Sequence, residues 1–205
     1  RLVSEAGESG YGKLLGEIAG RRGAFQALLR ESGSAEAAAR RLAQLLEIDE
    51  TLTVDRLNAE SHARALPPAR LLRIAETLRA AGGATNEDCA ARLEAAATGA
   101  VGAAGLDSYL EIFLTKDGAV RDEKKFVTKT FRDADPEMAV ELNAERERIA
   151  AYLETRKRCV CLERTRALYH VAEAVLSRYE AGKRARAGLD FDDLIARTEA
   201  LLRRA

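Results

Sequence analysis

From Pro136 to Arg186 the chain offers a single strong helix breaker, Gly182. Asp135 and Pro136 supply an N-cap and a first-turn proline for this stretch. Fully helical, these roughly 50 residues would reach ~75 Å at about 1.5 Å each, and at least one kink or break is expected along them. A segment of this kind leaves little room for a sheet and predicts an elongated, all-α body. Composition agrees: Ala, Leu, Arg and Glu dominate, Trp is absent and only three prolines occur in 205 residues. The length suffices for one large or two small domains.

Other helices follow from apolar spacing and punctuation. Leu14, Leu15, Ile18, Phe25, Leu28 and Leu29 predict a helix from Lys13 to Glu31, ended by Gly33. Ser34 then caps a helix running through Glu47. Val54 to Ala65 forms a third, halted before Pro67-Pro68. Ala69 to Ala81 ends at Gly82-Gly83, and Thr85 is the expected cap for Asn86 to Ala97. Thr98 to Gly105 is rich in Gly and Ala and reads as a flexible joint, followed by a short apolar helix from Leu106 to Leu114. Thr115 to Arg132 lacks clear helical order. Asp117-Gly118 is a turn signal, and Phe126 to Phe131 has strand character, so either a small hairpin or an irregular loop is expected there.

Charge excludes a uniform field, since 33 basic residues balance 33 acidic ones. Nucleic-acid contact would have to come from local clustering. Between Lys116 and Arg132 such a cluster exists. Lys116, Arg121, Lys124, Lys125, Lys129 and Arg132 face only Asp117, Asp122 and Glu123, with Phe126 and Phe131 interleaved. A loop like this lies along a phosphate backbone, or it is a solvated loop whose phenylalanines anchor it to a core. A second basic run, Arg156-Lys157-Arg158 with Arg164 and Arg166, spreads around a helix and reads as solvated surface. Arg21-Arg22 and Lys183-Arg184 with Arg186 are smaller instances.

Motifs of chemistry are weak. Gly7 to Lys13 nearly spells a phosphate-binding loop. Leu14, however, stands where the magnesium-holding Ser or Thr belongs, and only six residues precede Gly7, too few for the buried strand such a loop follows. The segment reads as a Gly-rich lead-in to a helix. Cys159 and Cys161, two apart on a helix, point to different sides and cannot share a metal. Ordinary reduced cysteines and a cytoplasmic location are expected. No apolar run approaches a membrane span, and no membrane partner is expected. The chain begins with Arg rather than Met, and both ends lie in helical sequence, which reads as a piece of a larger protein.

The closing stretch is the most distinctive. Tyr179 and the basic residues after it lead into Leu189-Asp190-Phe191-Asp192-Asp193-Leu194-Ile195. Asp190 can cap a helix with Asp193 at its third position, and Phe191, Leu194, Ile195 and Leu201 or Leu202 share one face that should be buried. Capping also accounts for the acidic trio Asp190, Asp192 and Asp193 better than nuclease chemistry does.

This word closely resembles the segment that closes the helical 1B insertion of UvrD/Rep-type DNA helicases and leads back into the first motor domain. Tyr109 to Gly118, Val120-Arg121 and Phe126 to Lys129 look like the AddA branch, the helicase–nuclease subunit of a bacterial break-repair complex. Gly10 to Arg22 is similar to the start of the same insertion. The resemblance implies a 1B-type subdomain over residues 1–188 and a motor junction over 189–205. It places the segment between the phosphate-binding loop and the magnesium-binding motif of a parent chain. That parent would use ATP and magnesium to translocate on single-stranded DNA, unwind double-strand breaks, degrade DNA with a C-terminal nuclease and pair with an AddB-type subunit. No cofactor is expected within the segment itself. Lys124, Lys125, Lys129 and Arg121, flanked by Lys116 and Arg132, become candidates for duplex backbone, and Lys183 and Arg184 for contacts near the single strand. Leu189 to Ile195, above all Asp190, Phe191 and Asp193, would set the motor junction. Two other classes remain open: a protein-interaction scaffold, and an unrelated helical enzyme with its site in a deep pocket.

Overall fold

A computed structural model describes residues 2–99, 103–186, 188 and 191–203. Among them the chain is all-α, as expected, with eleven helices and one isolated antiparallel bridge between Leu114 and Val120. It divides into two compact units, Thr51–Val160 on one hand and Arg1–Glu50 with Cys161–Ala205 on the other.

The first unit contains α4 (Val54–Ala63), α5 (Pro68–Ala81), α6 (Ala84–Thr98), α7 (Ala103–Phe113), α8 (Glu123–Phe126), α9 (Lys129–Ala134) and the start of α10 (Pro136–Ala185). Thr53 caps α4 by accepting from the Arg56 N–H. Pro67 ends the preceding turn in extended backbone, and Pro68 sits in the first turn of α5, where its missing N–H costs nothing. Leu71, Ile74, Ala75 and Leu78 recur at helical spacing and form the buried stripe of α5. They share one core with Leu93 of α6, Phe113 of α7, and Leu142 and Ile149 of α10.

The second unit contains α1 (Leu2–Gly20), α2 (Arg22–Ser32), α3 (Ala35–Leu45), the end of α10, and α11 (Phe191–Leu202). Ser34 caps α3 as expected, its side chain accepting from Ala37 N–H. Glu173 of α10 accepts from Ala35 N–H at 3.2 Å, and Arg166 donates to the Glu50 carbonyl at 2.8 Å. Ala35, Ala38, Ala39 and Ala43 are buried; their small side chains let this face of α3 approach closely.

Several expectations are corrected. The helix read over Lys13 to Glu31 is two helices separated at Arg21. Glycines at 20 and 23 flank the break, each costing about 1 kcal/mol relative to Ala in a helix. Conversely, the Gly-rich lead-in at Gly7 to Lys13 is itself helical. α6 begins at Ala84, so Thr85 is not its cap; Gly83 holds that position without a side-chain bond. Gly82 and Gly83 have φ of 70° and 90°, a left-handed pair that reverses the chain between α5 and α6 and that side chains with a Cβ resist. The joint read at Thr98 to Gly105 is partly helical from Ala103, and 100–102 lie outside the described residues. α10 runs unbroken through Gly182; one glycine in fifty helical residues is a small local cost. α11 does not bury the face expected of it: Leu194, Ile195, Leu201 and Leu202 are 49 % to 73 % exposed.

Strand character at Phe126 to Phe131 is also overridden. These residues form the end of α8 and the start of α9, and Phe126, Val127 and Phe131 enter the core. Asn86 determines this. Its side-chain NH2 donates to the Gly82 carbonyl at 2.8 Å and to Thr128 Oγ1 at 2.9 Å, while its Oδ1 accepts from the Thr128 N–H at 3.1 Å. Asn86 is fully buried, so losing it strands the Thr128 N–H. Asn86→Ala is expected to destabilise the chain by about 1–3 kcal/mol, read as a lower urea midpoint with an unchanged slope.

Candidate nucleic-acid interface

The basic segment is built from the end of α7 onward. Thr115 N–H donates to the Ala119 carbonyl at 2.8 Å and Gly118 N–H to the Thr115 carbonyl at 2.9 Å. Gly118 has φ of 76°, so the Asp117-Gly118 turn forms where the sequence signals it, closed by the Leu114–Val120 bridge. Arg121 N–H then donates to the Phe113 carbonyl at 2.8 Å. This bond ties the segment to a fully buried aromatic of the core. Past it, Thr128 caps α9 by accepting from Phe131 N–H.

The six candidate cations therefore have different surroundings. Lys116 and Lys129 are exposed. Arg132 is half-buried and donates from Nη1 to the Val127 carbonyl at 2.8 Å, a bond that braces the α8–α9 corner. Arg121 is half-buried with its Nε wholly covered. Burial, and then the nearby Arg92 charge, lower its guanidinium from the usual value. The side chains of Lys124 and Lys125 lie outside the described residues. Arg92 on α6 was absent from the sequence reading. Spacing alone pairs it with Asp88 one turn earlier, an ordinary surface ion pair, and nothing in the sequence brings Arg121 beside it.

In the other unit, Lys183 is only 14 % exposed and donates from Nζ to Asp193 at 2.8 Å and to Glu180 at 3.2 Å. Lys183 and Arg22 also lie over the Tyr179 ring, 5.6 Å and 5.4 Å from its centroid. Arg184 is exposed and its Nε donates to the Glu180 carbonyl at 3.3 Å. Asp193 stands at the third position of α11, and its carboxylate joins the start of that helix to α10. Leu189 and Asp190, including the expected cap, and the side chains of Phe191 and Asp192 lie outside the described residues. Arg156, Lys157 and Arg158 are exposed, and Lys157 bonds Glu154 at 2.6 Å.

Two arrangements resemble sites of chemistry. Glu145 of α10 is a buried carboxylate. It accepts from the Tyr109 hydroxyl and from Arg148 Nε and Nη2 at 2.8 Å and 2.6 Å. Arg148 Nη1 also donates to Ser61 Oγ at 3.2 Å, and the Tyr109 oxygen accepts from Leu66 N–H at 3.0 Å. Both carboxylate oxygens have donors, so the group joins α7 to α10. A separate groove of about 830 Å³ is floored by Leu106, Leu110, Leu114 and Leu153, with His62, Asp55, Asp107 and Arg156 around it. His62 Nδ1 is buried without a hydrogen-bond partner, so no carboxylate orients the ring through that nitrogen. Cys89 is buried, and burial pushes its thiol up to about 11, which leaves it unreactive. Cys159 is buried and Cys161 exposed, on different sides as their spacing requires. Among the described residues no three His, Cys, Asp or Glu side chains gather as metal ligands, and no helix is long and apolar enough to cross a membrane.

No protein-family model, curated protein or solved structure matches the chain. Assignment therefore rests on the residues themselves.

Tyr109 makes the Glu145 group testable. Burial first, and then its bond to the Glu145 carboxylate, raise the Tyr109 hydroxyl above its ordinary value. The folded state thus holds a proton that the unfolded chain releases above about pH 10. The stability this contributes is complete below that pH and is lost as pH rises beyond it. The stability difference between wild type and Tyr109→Phe should shrink between about pH 8 and pH 11. Denaturant midpoints measure it, and a constant difference would show that Tyr109 is not held protonated.

Proposed function

We propose that this chain is a non-catalytic, DNA-guiding helical subdomain of the 1B type from a UvrD/Rep-family helicase, closest to the AddA helicase–nuclease subunit of bacterial break repair. The single observation that carries the reading is the closing word Leu189 to Ile195 joined to an exposed apolar helix face. Leu194, Ile195, Leu201 and Leu202 stay open to solvent, and a motor domain following this word would supply the surface that covers them. The all-α architecture agrees with such an insertion. The α7–α9 corner supports the DNA role, because its buried Phe126, Val127 and Phe131 hold a short basic segment in one conformation. Exposed Lys116 and Lys129 are then available to backbone phosphates, and Lys124 and Lys125 add charge to the same stretch of sequence. ATP, magnesium, strand translocation and nuclease activity belong in this reading to the rest of the parent, with an AddB-type subunit as partner in a bacterial cytoplasm.

The same open face favours a second reading, a scaffold that packs on the motor or on the partner subunit without touching DNA. Balanced net charge and the internal bonds of Arg132 and Lys183 point the same way.

Fluorescence anisotropy with forked, duplex and single-stranded DNA over a salt series separates the two. The DNA-guiding reading expects binding to fork or duplex that weakens with salt. Lys124→Glu with Lys125→Glu should lower the slope of log affinity against log salt by about two. Absence of binding to every form at low salt would leave the scaffold.

A further inference from the structure

A groove of about 830 Å³ stays open between α4, α7 and the first half of α10. Three bonds set its walls. The Cys159 thiol donates to the Leu52 carbonyl at 3.2 Å, the Tyr152 hydroxyl to Asn58 Oδ1 at 2.9 Å, and Arg148 Nη1 to Ser61 Oγ at 3.2 Å. Chain position falls along α10 as it rises through α4, so the two run antiparallel. The bond from the Tyr109 hydroxyl to Glu145 fixes α7 against α10 in turn.

The floor of the groove has helical order. Leu106, Leu110 and Leu114 recur every four residues along α7 and its end, a ridge of about 12 Å at ~1.5 Å per residue, and Leu153 of α10 lines the groove with them. Leu110, Leu114 and Leu153 are half-buried: each packs on the core and also borders the groove. On the α4 side, Ala59 and Ala63 are exposed and small, which keeps that wall low. A further helix fits such a trough, because its side chains at i, i+4 and i+7 repeat at the interval of the ridge.

Charge narrows the occupant. Apart from His62, whose Nδ1 is covered, the charged groups lining the groove are Asp55, Asp107 and Arg156. All three are exposed and within reach of a bound partner. Two carboxylates against one guanidinium favour an occupant that brings a cation. Asp107 directly follows Leu106, so that cation belongs at one end of the apolar ridge.

We propose that this groove docks one amphipathic helix of a partner protein, with its apolar face on the leucine ridge and a lysine or arginine against Asp107. None of the candidate DNA cations is among the residues that line the groove, so this docking is independent of the DNA-guiding reading.

The test is methyl NMR on the 205-residue chain, with a synthetic capped helical peptide of about 15 residues as probe. The peptide carries leucines at i, i+4 and i+7 and a lysine one turn ahead of them. One control replaces the lysine by glutamate, and another replaces the leucines by serine. The lysine peptide should shift the Leu110, Leu114 and Leu153 signals. The glutamate peptide should bind about fivefold more weakly, and Asp107→Lys should reverse that order. Ala59→Phe, which fills the groove from an exposed position, should weaken binding at least about tenfold. Absence of methyl shifts, equal shifts from the serine peptide, or affinity unchanged in Ala59→Phe overturns the site. Equal affinity for the lysine and glutamate peptides overturns the basic partner. Shifts that grow with protein concentration alone replace the partner by a second copy, and equal shifts from hexylamine replace it by a small molecule. Should either variant fail to fold by circular dichroism, the wild-type shifts with the three peptides decide.

Discussion

The buried Glu145 carboxylate holds the Thr51–Val160 unit together. A single charged group on α10 gathers the Tyr109 hydroxyl from α7 and the Arg148 guanidinium, and through them Ser61 of α4 and the Leu66 N–H ahead of α5. A carboxylate withdrawn from water is tolerated only when its oxygens are fully bonded and its charge is paired. That requirement sets the register between α10 and α7 more sharply than apolar packing would. The aromatic contacts follow from it: Tyr109 lies 5.5 Å from Phe113, and Phe113 lies 5.6 Å from Phe126, ring centre to ring centre.

With α7 in place, its C-terminal end determines where the basic segment goes. The Gly118 turn sends the chain back past Phe113, and Asn86 receives Thr128 through both faces of its amide. The segment between is too short to wander. Phe126, Val127 and Phe131 are drawn inward, and Lys116 and Lys129 are left at the surface. The half-burial of Arg121 is a consequence of this path rather than of its own chemistry.

Much of the fold was legible in the sequence because capping and helix termination are local. Ser34 and Asp135 act as the caps their positions suggest; Asp135 accepts from Met138 N–H at 2.9 Å. Gly33 and Gly82 end helices where expected, and Asp117-Gly118 turns. Where reading failed, the competing effect was non-local. The strand preference of Phe126 to Phe131 yielded to burial of both phenylalanines against four other helices. Thr85 lost its cap because Asn86 pulled the helix start back toward Gly82. Among the candidate cations, sequence clustering found Lys116, Arg121, Lys129 and Arg132 but could not tell braced from free, and it missed Arg92 on another helix.

The sequence by itself determined an all-α chain, a helix of about fifty residues, its caps and turns, and the segments that are rich in positive charge. Each depends on groups within a few residues of one another. Tertiary structure alone decided which charges are spent inside the protein and which apolar face of α11 stays open. These outcomes depend on desolvation and on contacts between residues distant in sequence, and both exist only once the helices have packed.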